Sequence, residues 1–469
     1  MKKIITLITL TSVLAGLTFT TSAQQSFRLP KYTSFKLSNG LTVYLMEQKE
    51  VPLISVSLSV PAASIYDGQQ AGLSQLTASS LESGTKNYTK EQIQEKLDFA
   101  GASLNAYSSK EFSRVVAKFS TRTQDLVFDL LKDIVVNPLF EEKEFDKLKT
   151  RTKASLEMAK QSPRSVIANY WNELMYANHV YSNPPAGLIS TVSAITTADV
   201  KKFHDQYYRP DGSVLAIVGD FSAPEMKLKI TKLFGEWKKG KVALINAAAV
   251  PVTKPGVSNV LLVNKNDARE TTFYIGSKGI TRNNADRVAI EVVNTVFGDR
   301  FTSWLNDELR VNSGLTYGAR SRFEAQKYAG TFYISSFTAT KTTFQTIDKA
   351  LEVMDRLQKG IDDTTLISAR NYVVGQFPPT YETSGQLAML LNDMFLYGYN
   401  DSYINDFEKN VKLVTAAKAK EIIAKYFSKD KLQYLFIGKA DEIREGAKKY
   451  GIVIEKEIKE DSYNLKKGF

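Results

Sequence analysis

The chain has 469 residues, of which 43% are hydrophobic and 24% charged, with a formal net charge of +11 and no cysteine. This length allows two or more domains, each with its own core. The absence of cysteine excludes disulfides, thiolate metal sites and a cysteine nucleophile, and the spread of positive charge lacks the Lys/Arg tract of a nucleic-acid-binding protein.

The N-terminus has the pattern of a secretory signal peptide. Lys2 and Lys3 precede an apolar run from Ile4 to about Phe19, and residues 21–23 are small or polar like a cleavage site. We therefore predict a signal peptide over residues 1–23 and an exported protein, periplasmic in a bacterium. The run is too short and too polar for a transmembrane segment, and none is predicted elsewhere.

The first structured elements follow at once. Residues 32–46 predict two strands joined at an Asn39-Gly40 turn, and residues 53–60 predict a third strand in which apolar residues alternate with serine. Residues 71–84 then predict a helix that ends at Gly84. The chain has only two histidines, His179 and His204. A catalytic zinc site usually needs two or three histidine ligands, so we expect neither to bind metal.

The chain contains the same unit twice. Residues 195–219 align with residues 414–438 at an offset of 219, and each segment ends in an apolar strand. The identical pairs are Thr196 and Thr415, Tyr207 and Tyr426, Asp211 and Asp430, and Gly219 and Gly438. Hairpin strands beside clustered helices predict an α+β fold of two homologous α/β sandwich domains, each a mainly antiparallel sheet packed with helices. We place the domains at 24–240 and 258–469, with a linker at 241–257.

In the second copy, residues 306–320 carry two candidate site residues. An amphipathic segment from about Phe301 ends at Gly314, which takes the left-handed position after a helix and puts Arg310 in the last turn. Residues 315–323 predict a strand with Tyr317 near its start. A guanidinium and a phenol placed in this way can both donate to one carbonyl, which predicts an oxyanion or peptide-carbonyl clamp. The bland alternatives are a helix-dipole contact for Arg310 and ordinary packing for Tyr317.

The helix at 71–84 gives these features a family context. Gly72-Leu73 and the later segments resemble the pitrilysin/insulinase-type metallopeptidases, the inverzincins, especially bacterial two-domain members related to mitochondrial processing peptidase. In active members this helix carries H-x-x-E-H, which supplies two zinc ligands and a Glu base. This chain has Gln75, Ala78 and Ser79 at those positions. The resemblance therefore implies a degenerate zinc motif and no metal cofactor in this chain.

The rest of the resemblance separates what is lost from what is kept. The family's third zinc ligand aligns with about Ser155, and Glu157, two residues away, cannot make a site alone. The family's context Leu-Arg-x-x-x-Gly-Leu-Thr-Tyr is intact at 309–317, so the resemblance implies that Arg310 and Tyr317 bind the scissile carbonyl or oxyanion. The chain departs from the family at Trp304 and at Arg269-Glu270; neither position is expected to touch the clamp, but both changes are expected to alter the peptide groove.

The resemblance implies a zinc-free subunit of a secreted heterodimeric peptidase. Its homologous partner would carry H-x-x-E-H and zinc, and the substrates would be peptides or small unfolded proteins, bound by adding a strand to a sheet edge. The alternative is a noncatalytic peptide-binding or assembly protein of the same fold. Nucleic-acid binding is not expected.

Overall fold

The structure is a computed structural model that describes residues 27–177, 179–240, 242 and 256–465. The predicted signal peptide lies outside the described residues, as does most of the predicted linker. We refer to residues 27–240 as the first half and to residues 256–465 as the second half. No helix within these described ranges is long and apolar enough to cross a bilayer.

The first half is one mixed sheet with helices on it. Its strands are β1 (Thr33–Lys36), β2 (Thr42–Glu47), β3 (Leu53–Val60), β4 (Ser103–Ser108), β5 (Ser113–Ser120) and β6 (Val214–Gly219). They are ordered β1-β2-β6-β3-β5-β4, and only the pair β2 and β6 is parallel. Its helices are α1 (Leu73–Ser80), α2 (Lys90–Ala100), α3 (Gln124–Val136), α4 (Glu142–Ala159), α5 (Pro163–Tyr176), α6 (Ile189–Ala194), α7 (Thr197–Tyr207) and α8 (Ala223–Phe234).

The second half repeats this plan. Its strands are β7 (Asn259–Asn264), β8 (Glu270–Lys278), β9 (Ala319–Ala325), β10 (Gly330–Ala339), β11 (Gln433–Gly438) and β12 (Ile452–Glu457), ordered β12-β7-β11-β8-β10-β9. Its helices are α9 (Arg287–Asn294), α10 (Trp304–Asn306), α11 (Thr343–Gln358), α12 (Asp363–Gln376), α13 (Ser384–Tyr397), α14 (Ser402–Asn405), α15 (Phe407–Lys412), α16 (Ala416–Tyr426) and α17 (Ala440–Ala447). The predicted fold class, an α+β chain of two homologous sandwiches, is confirmed.

The two halves differ at one edge of the sheet. In the first half the edge strand β1 runs antiparallel to β2, from which the turn at Gly40 separates it, with φ +102° at that glycine. In the second half the edge strand β12 comes from the C-terminal end of the chain and runs parallel to β7. The shared five strands keep the same order and direction, which is the structural form of the duplication.

Each half lends one helix to the sheet of the other half. α5 packs on the second sheet through Trp171 and Val166, against Leu261, Leu435 and other buried residues. α13, its counterpart, packs on the first sheet, where Leu387, Leu391 and Met394 are buried together with Met46, Ala216 and Val218. Each sheet is therefore covered on both faces, and one of its two layers belongs to the other half of the chain.

The contact of α13 with β3 is polar, because β3 turns its serines toward this helix. Asn392 donates through Nδ2 to the Ser57 carbonyl (2.9 Å), the Ser57 Oγ (2.8 Å) and the Ser59 Oγ (3.0 Å). The next residue, Asp393, pairs with Arg114 on β5 at 2.7 Å. These groups are largely buried, so leaving any of them unpaired would cost more than the bonds contribute. The hydrogen bonds fix the register of α13 on the sheet.

Candidate functional site

The segment that carries Arg310 is a short helical segment that ends before Gly314. After α10, residues Asp307–Asn312 form a π-helical turn, in which Leu309 is fully buried and anchors the segment in the second core. Gly314 has φ +61°, and the Leu315 N–H reaches back to the Leu309 carbonyl at 2.9 Å. The left-handed stop at Gly314 is as predicted, and Arg310 lies in the last turn with an exposed side chain.

Tyr317 lies in a loop and not in a strand. The predicted strand over 315–323 was wrong at its start, because β9 begins at Ala319. The reason is local: the Thr316 hydroxyl accepts from the Gly318 N–H and donates to the Gly318 carbonyl, both at 3.1 Å. Thr316 also bonds the Ser336 hydroxyl. These side-chain bonds replace the strand ladder, and the loop holds the Tyr317 side chain 81% exposed.

Neither candidate donor has a hydrogen-bond or ion-pair partner within the described part of the chain. The Arg310 guanidinium lies over the Phe301 ring at 4.8 Å and makes no hydrogen bond or ion pair with a described residue. The Tyr317 ring faces Phe337 with centroids 6.5 Å apart, and its hydroxyl is likewise unengaged among these residues. The Arg310 guanidinium and the Tyr317 hydroxyl therefore lie beside aromatic rings and remain available to donate hydrogen bonds to an external acceptor. The joint action of Arg310 and Tyr317 as a clamp stays a prediction.

The positions of the degenerate zinc motif lie together on one face of α1. The Gln75 Nε2 donates to the Ser79 Oγ at 2.9 Å, one helical turn away, and Ala78 between them is fully buried. An amide, a methyl and a hydroxyl provide neither the imidazoles nor the carboxylate base that a catalytic zinc centre requires. These residues therefore do not fit a zinc ion.

The same face of α1 is bonded to the outer edge of β4, the edge strand of the first sheet. The Ser108 N–H donates to the Gln75 Oε1 at 2.9 Å, and the Ala106 N–H donates to the Glu82 carboxylate. Burial raises the pKa of Glu82 to about 7, although this hydrogen bond opposes the shift. Two successive outward N–H groups of β4 are therefore already paired. The edge available to an added peptide strand is shortened at this point.

The second half has the same contact between a helix and an edge strand. The Asn294 Nδ2 donates to the Ser321 carbonyl on β9 at 3.1 Å, and its Oδ1 accepts from the Ser321 hydroxyl at 2.6 Å. The helix approaches so closely that a Cβ on Gly298 would lie 2.3 Å from the Ser321 Oγ. In both halves an amide side chain thus bonds to the edge strand of the sheet.

The remaining sequence candidates are structural or isolated. Ser155 and Glu157 are exposed on α4. His204 is buried, its Nε2 bonds the Val135 carbonyl at 2.9 Å, and burial lowers its pKa to about 4. His179 caps a 3-10 turn, accepting at Nδ1 from the Tyr181 N–H at 3.1 Å. Among the described residues there is no group of three or more His, Cys, Asp or Glu side chains placed to hold a metal ion.

Sequence reasoning missed a polar junction between the halves. Glu111 accepts from the Tyr181 hydroxyl, from the Tyr397 hydroxyl at 3.0 Å and from the Lys327 N–H at 2.8 Å. Burial lowers the pKa of the neighbouring Lys110 to about 8, and its ammonium donates to the Tyr181 carbonyl. The adjacent Lys-Glu pair was the only signal in the sequence, and nothing in it indicated contact with residues more than 200 positions away.

Comparison with known proteins places these features in a family. Residues 42–187 match the family model described as insulinase (peptidase family M16), and residues 194–373 match the one described as peptidase M16 inactive domain. The chain is 24% identical over 355 residues to the "non-peptidase homolog YmxG" of Helicobacter pylori, which covers 74% of this chain and 80% of that protein. It is 22% identical over 416 residues to the "zinc protease PqqE" of the same organism, covering 87% and 93%.

Solved structures share the fold. A peptidase M16 inactive domain from Pseudomonas fluorescens superposes with a TM-score of 0.81 at 22% identity, over 87% of this chain and 98% of that one. A protease from Helicobacter pylori superposes with a TM-score of 0.80 at 20% identity, over 87% and 100%.

Proposed function

Since the chain belongs to peptidase family M16, the insulinase or pitrilysin type, and shares its fold with solved structures described as an M16 inactive domain and as a protease, we propose that it is the zinc-free subunit of a heterodimeric peptidase. In this proposal the partner is a homologous chain with H-x-x-E-H that binds zinc and activates water. This chain contributes Arg310 and Tyr317, which hold the carbonyl of the bond to be cut. The predicted signal peptide supports a periplasmic or extracellular location for the assembly as part of this proposal.

One contrast carries the proposal. On α1 the Gln75 amide donates to the Ser79 hydroxyl and accepts from the Ser108 N–H of β4, so the polar groups on the face that would hold the metal are already engaged. In the second half Arg310 and Tyr317 are exposed and make no polar contact with any described residue. In this proposal the chain supplies the donors to the scissile carbonyl, and the partner supplies the zinc ion and the base.

The chemistry that these two residues perform is electrostatic. A peptide carbonyl gains negative charge when hydroxide adds to it, and donors placed at that oxygen stabilise the charge more strongly than they stabilise the substrate. Arg310 supplies a permanent positive charge in a planar set of N–H donors, and Tyr317 supplies a neutral O–H. The aromatic faces of Phe301 and Phe337 limit the directions in which the two side chains lie.

The test is reconstitution with an H-x-x-E-H homologue from the same genome. The mixture should cleave a quenched fluorescent peptide much faster than the partner alone. Arg310→Ala and Tyr317→Phe should each lower kcat, by about 10²- to 10³-fold for the arginine. Arg122→Ala, which removes an exposed arginine from the first half, is the matched control and should leave turnover unchanged.

Size-exclusion chromatography of each mixture separates chemistry from assembly. The Arg310 and Tyr317 variants should still co-elute with the partner. A mixture that assembles but gains no activity over the partner alone would reject the proposal. Full activity of the assembled Arg310→Ala mixture would instead favour the second reading, an assembly or peptide-binding protein of this fold.

A further inference from the structure

A cleft lies where the start of α5, lent by the first half, meets the start of β8. Its volume is about 490 Å³. The charged side chains in its lining are Arg164, Lys265, Arg269 and Glu270. Three of these side chains are cationic and one is anionic, so the lining carries a net positive charge. Arg269 and Glu270 also form one of the two places at which the sequence departs from the family pattern, the other being Trp304.

The three cations are not equally available to a ligand. Lys265 is buried, and its Nζ donates to both oxygens of Asp267, at 2.6 and 2.7 Å, so its charge is neutralised within the chain. Arg269 is exposed and forms no ion pair with any residue in the described ranges. Arg164 faces Glu270 at 3.5 Å, and both side chains are about half exposed, so this pair is weak and easily exchanged.

Arg164 is held in an orientation that suits a carboxylate. Its guanidinium carbon lies 3.5 Å from the centre of the Phe337 ring, which is stacking distance. Stacking occupies the face of the guanidinium and leaves its N–H groups free in the plane, where they can bind a carboxylate with two parallel hydrogen bonds. Phe337 thereby fixes the arginine and lowers the entropy that it loses when a ligand binds.

The same phenylalanine connects the cleft to Tyr317. The Tyr317 ring lies 6.5 Å from the Phe337 ring, so the Arg164 guanidinium is no more than about 10 Å from the Tyr317 ring. An extended peptide advances about 3.3 Å per residue, and about three residues cover this distance. A peptide held at Tyr317 can therefore reach the cleft with a side chain or with its C-terminus.

The strand beside this path adds positive charge. Arg320 and Arg322 on β9 lie opposite Ser335 and Tyr333 of β10, and therefore share a sheet face with Phe337. Both arginines are exposed, and neither forms an ion pair with a described residue. Glu324 of the same strand shares this face, so the side chains from β9 to Arg269 carry a net positive charge, which favours acidic over basic segments.

We propose that this cleft binds a carboxylate of an extended peptide, about three residues from the peptide group held at Tyr317, and so selects acidic peptide substrates. Arg164 and Arg269 bind the carboxylate, and Glu270 is the internal anion that the ligand displaces from Arg164. The distance from the cleaved bond rests on the proposed function, whereas carboxylate binding by the cleft does not.

The test measures peptide binding to the full-length chain alone, by fluorescence anisotropy. The probes are fluorescein-labelled ten-residue peptides of Ala, Ser and Gln with an amidated C-terminus, in which one Glu is moved along the sequence, each paired with a Gln peptide. At low salt the peptide with Glu at one particular position should bind about fivefold more tightly than the peptide with Gln at that position, and this preference should weaken at high salt. A third probe, the Gln peptide with a free C-terminus, distinguishes a terminal from a side-chain carboxylate.

Two variants act in opposite directions if the cleft is the site. Arg164→Gln should abolish the preference for Glu without changing the affinity for the Gln peptide, whereas Glu270→Gln should increase the preference. Arg122→Gln is the matched surface control. Equal binding of Glu and Gln peptides, or a preference that persists in Arg164→Gln, would overturn the proposal.

The binding result is independent of reconstitution. The binding assay uses this chain alone and measures no turnover. If the preference is found but no H-x-x-E-H partner gains activity, the cleft is upheld and the peptidase-subunit proposal fails. If reconstitution succeeds with no preference for acidic peptides, the reverse holds.

Discussion

Replacing Leu391 by alanine tests whether the exchanged helices make the two halves one folding unit. Leu391 is fully buried on α13, a helix of the second half, yet its neighbours Met46, Ala216 and Val218 belong to the first sheet. Removing a buried leucine side chain to the β-carbon costs about 3–5 kcal/mol, from lost burial and from the cavity that remains. Because α13 packs on the first sheet while Phe377, shortly before it in the chain, also packs on the core of the second half, the loss should lower the stability of both halves together.

The three tryptophans provide the assay. Trp237 lies in the first core, Trp304 in the second core, and Trp171 on α5 between the halves. Variants that keep one tryptophan, with phenylalanine at the other two, report each region separately during urea unfolding. Leu391→Ala should move all three transitions to the same lower midpoint.

The control makes the same chemical change where no cost is expected. Leu228 on α8 is 73% exposed, and Leu228→Ala should change the free energy of unfolding by less than about 0.5 kcal/mol. If Leu391→Ala shifted the Trp237 transition and left the Trp304 transition in place, the halves would unfold independently. In that case α13 does not couple the unfolding of the two halves.

Three further predictions concern single contacts. Asp393→Ala leaves the buried Arg114 guanidinium without its counterion and should cost about 2–4 kcal/mol by chemical denaturation, with stability recovered when Arg114 is also replaced by Met. Burial raises the pKa of Glu82 from 4.5 to about 7 on folding, so the ionised carboxylate lowers the free energy of unfolding above pH 7, and this penalty disappears as pH falls toward 4.5. Glu82→Gln should therefore raise the free energy of unfolding by about 1–3 kcal/mol at pH 8 and by nearly nothing at pH 4.5. Gly298→Ala forces a methyl within 2.3 Å of an oxygen on β9 and should lower the melting temperature, whereas Gly375→Ala, at an open position on α12, should raise the free energy of unfolding by about 0.5–1 kcal/mol.

The parts of the fold that follow from local pattern were predictable from the sequence. The turn at Gly40, the existence of strand β3 and the helix stop at Gly314 each depend on neighbouring residues, and the structure has all three. The duplication was visible because the repeated segments keep identical residues at one spacing. These features together were sufficient for the fold class.

Features that depend on distant contacts were not predictable. An apolar face on α5 or α13 shows that the helix is buried but does not identify the sheet that buries it, and in both cases it is the sheet of the other half. The serines of β3 illustrate the same limit. Alternation usually indicates one wet face, yet Ser57 and Ser59 are buried because Asn392 covers them. The late start of β9 depends on the hydrogen bonds between the Thr316 hydroxyl and the Gly318 backbone, which strand propensity alone does not predict.

The candidate site divides in the same way. The prediction that Gln75, Ala78 and Ser79 bind no metal came from the family resemblance, which identified the three positions, and from the chemistry of their side chains. That Gln75 instead holds the end of β4 requires the folded geometry. The role of Arg164 was also hidden, since its partners Phe337 and Glu270 are more than 100 positions away in the chain.

The bond from Gln75 to Ser108 makes a return to metal chemistry difficult for this protein. Engineering histidine at 75 and 79 and glutamate at 78 would remove the acceptor from the Ser108 N–H and introduce a carboxylate where Ala78 is sealed from solvent. Each replacement would weaken the scaffold before any ion was captured. Retrofitting hydrolysis would therefore require a redesigned joint between α1 and β4, and grafting the ligands alone should yield an unstable protein instead of an enzyme.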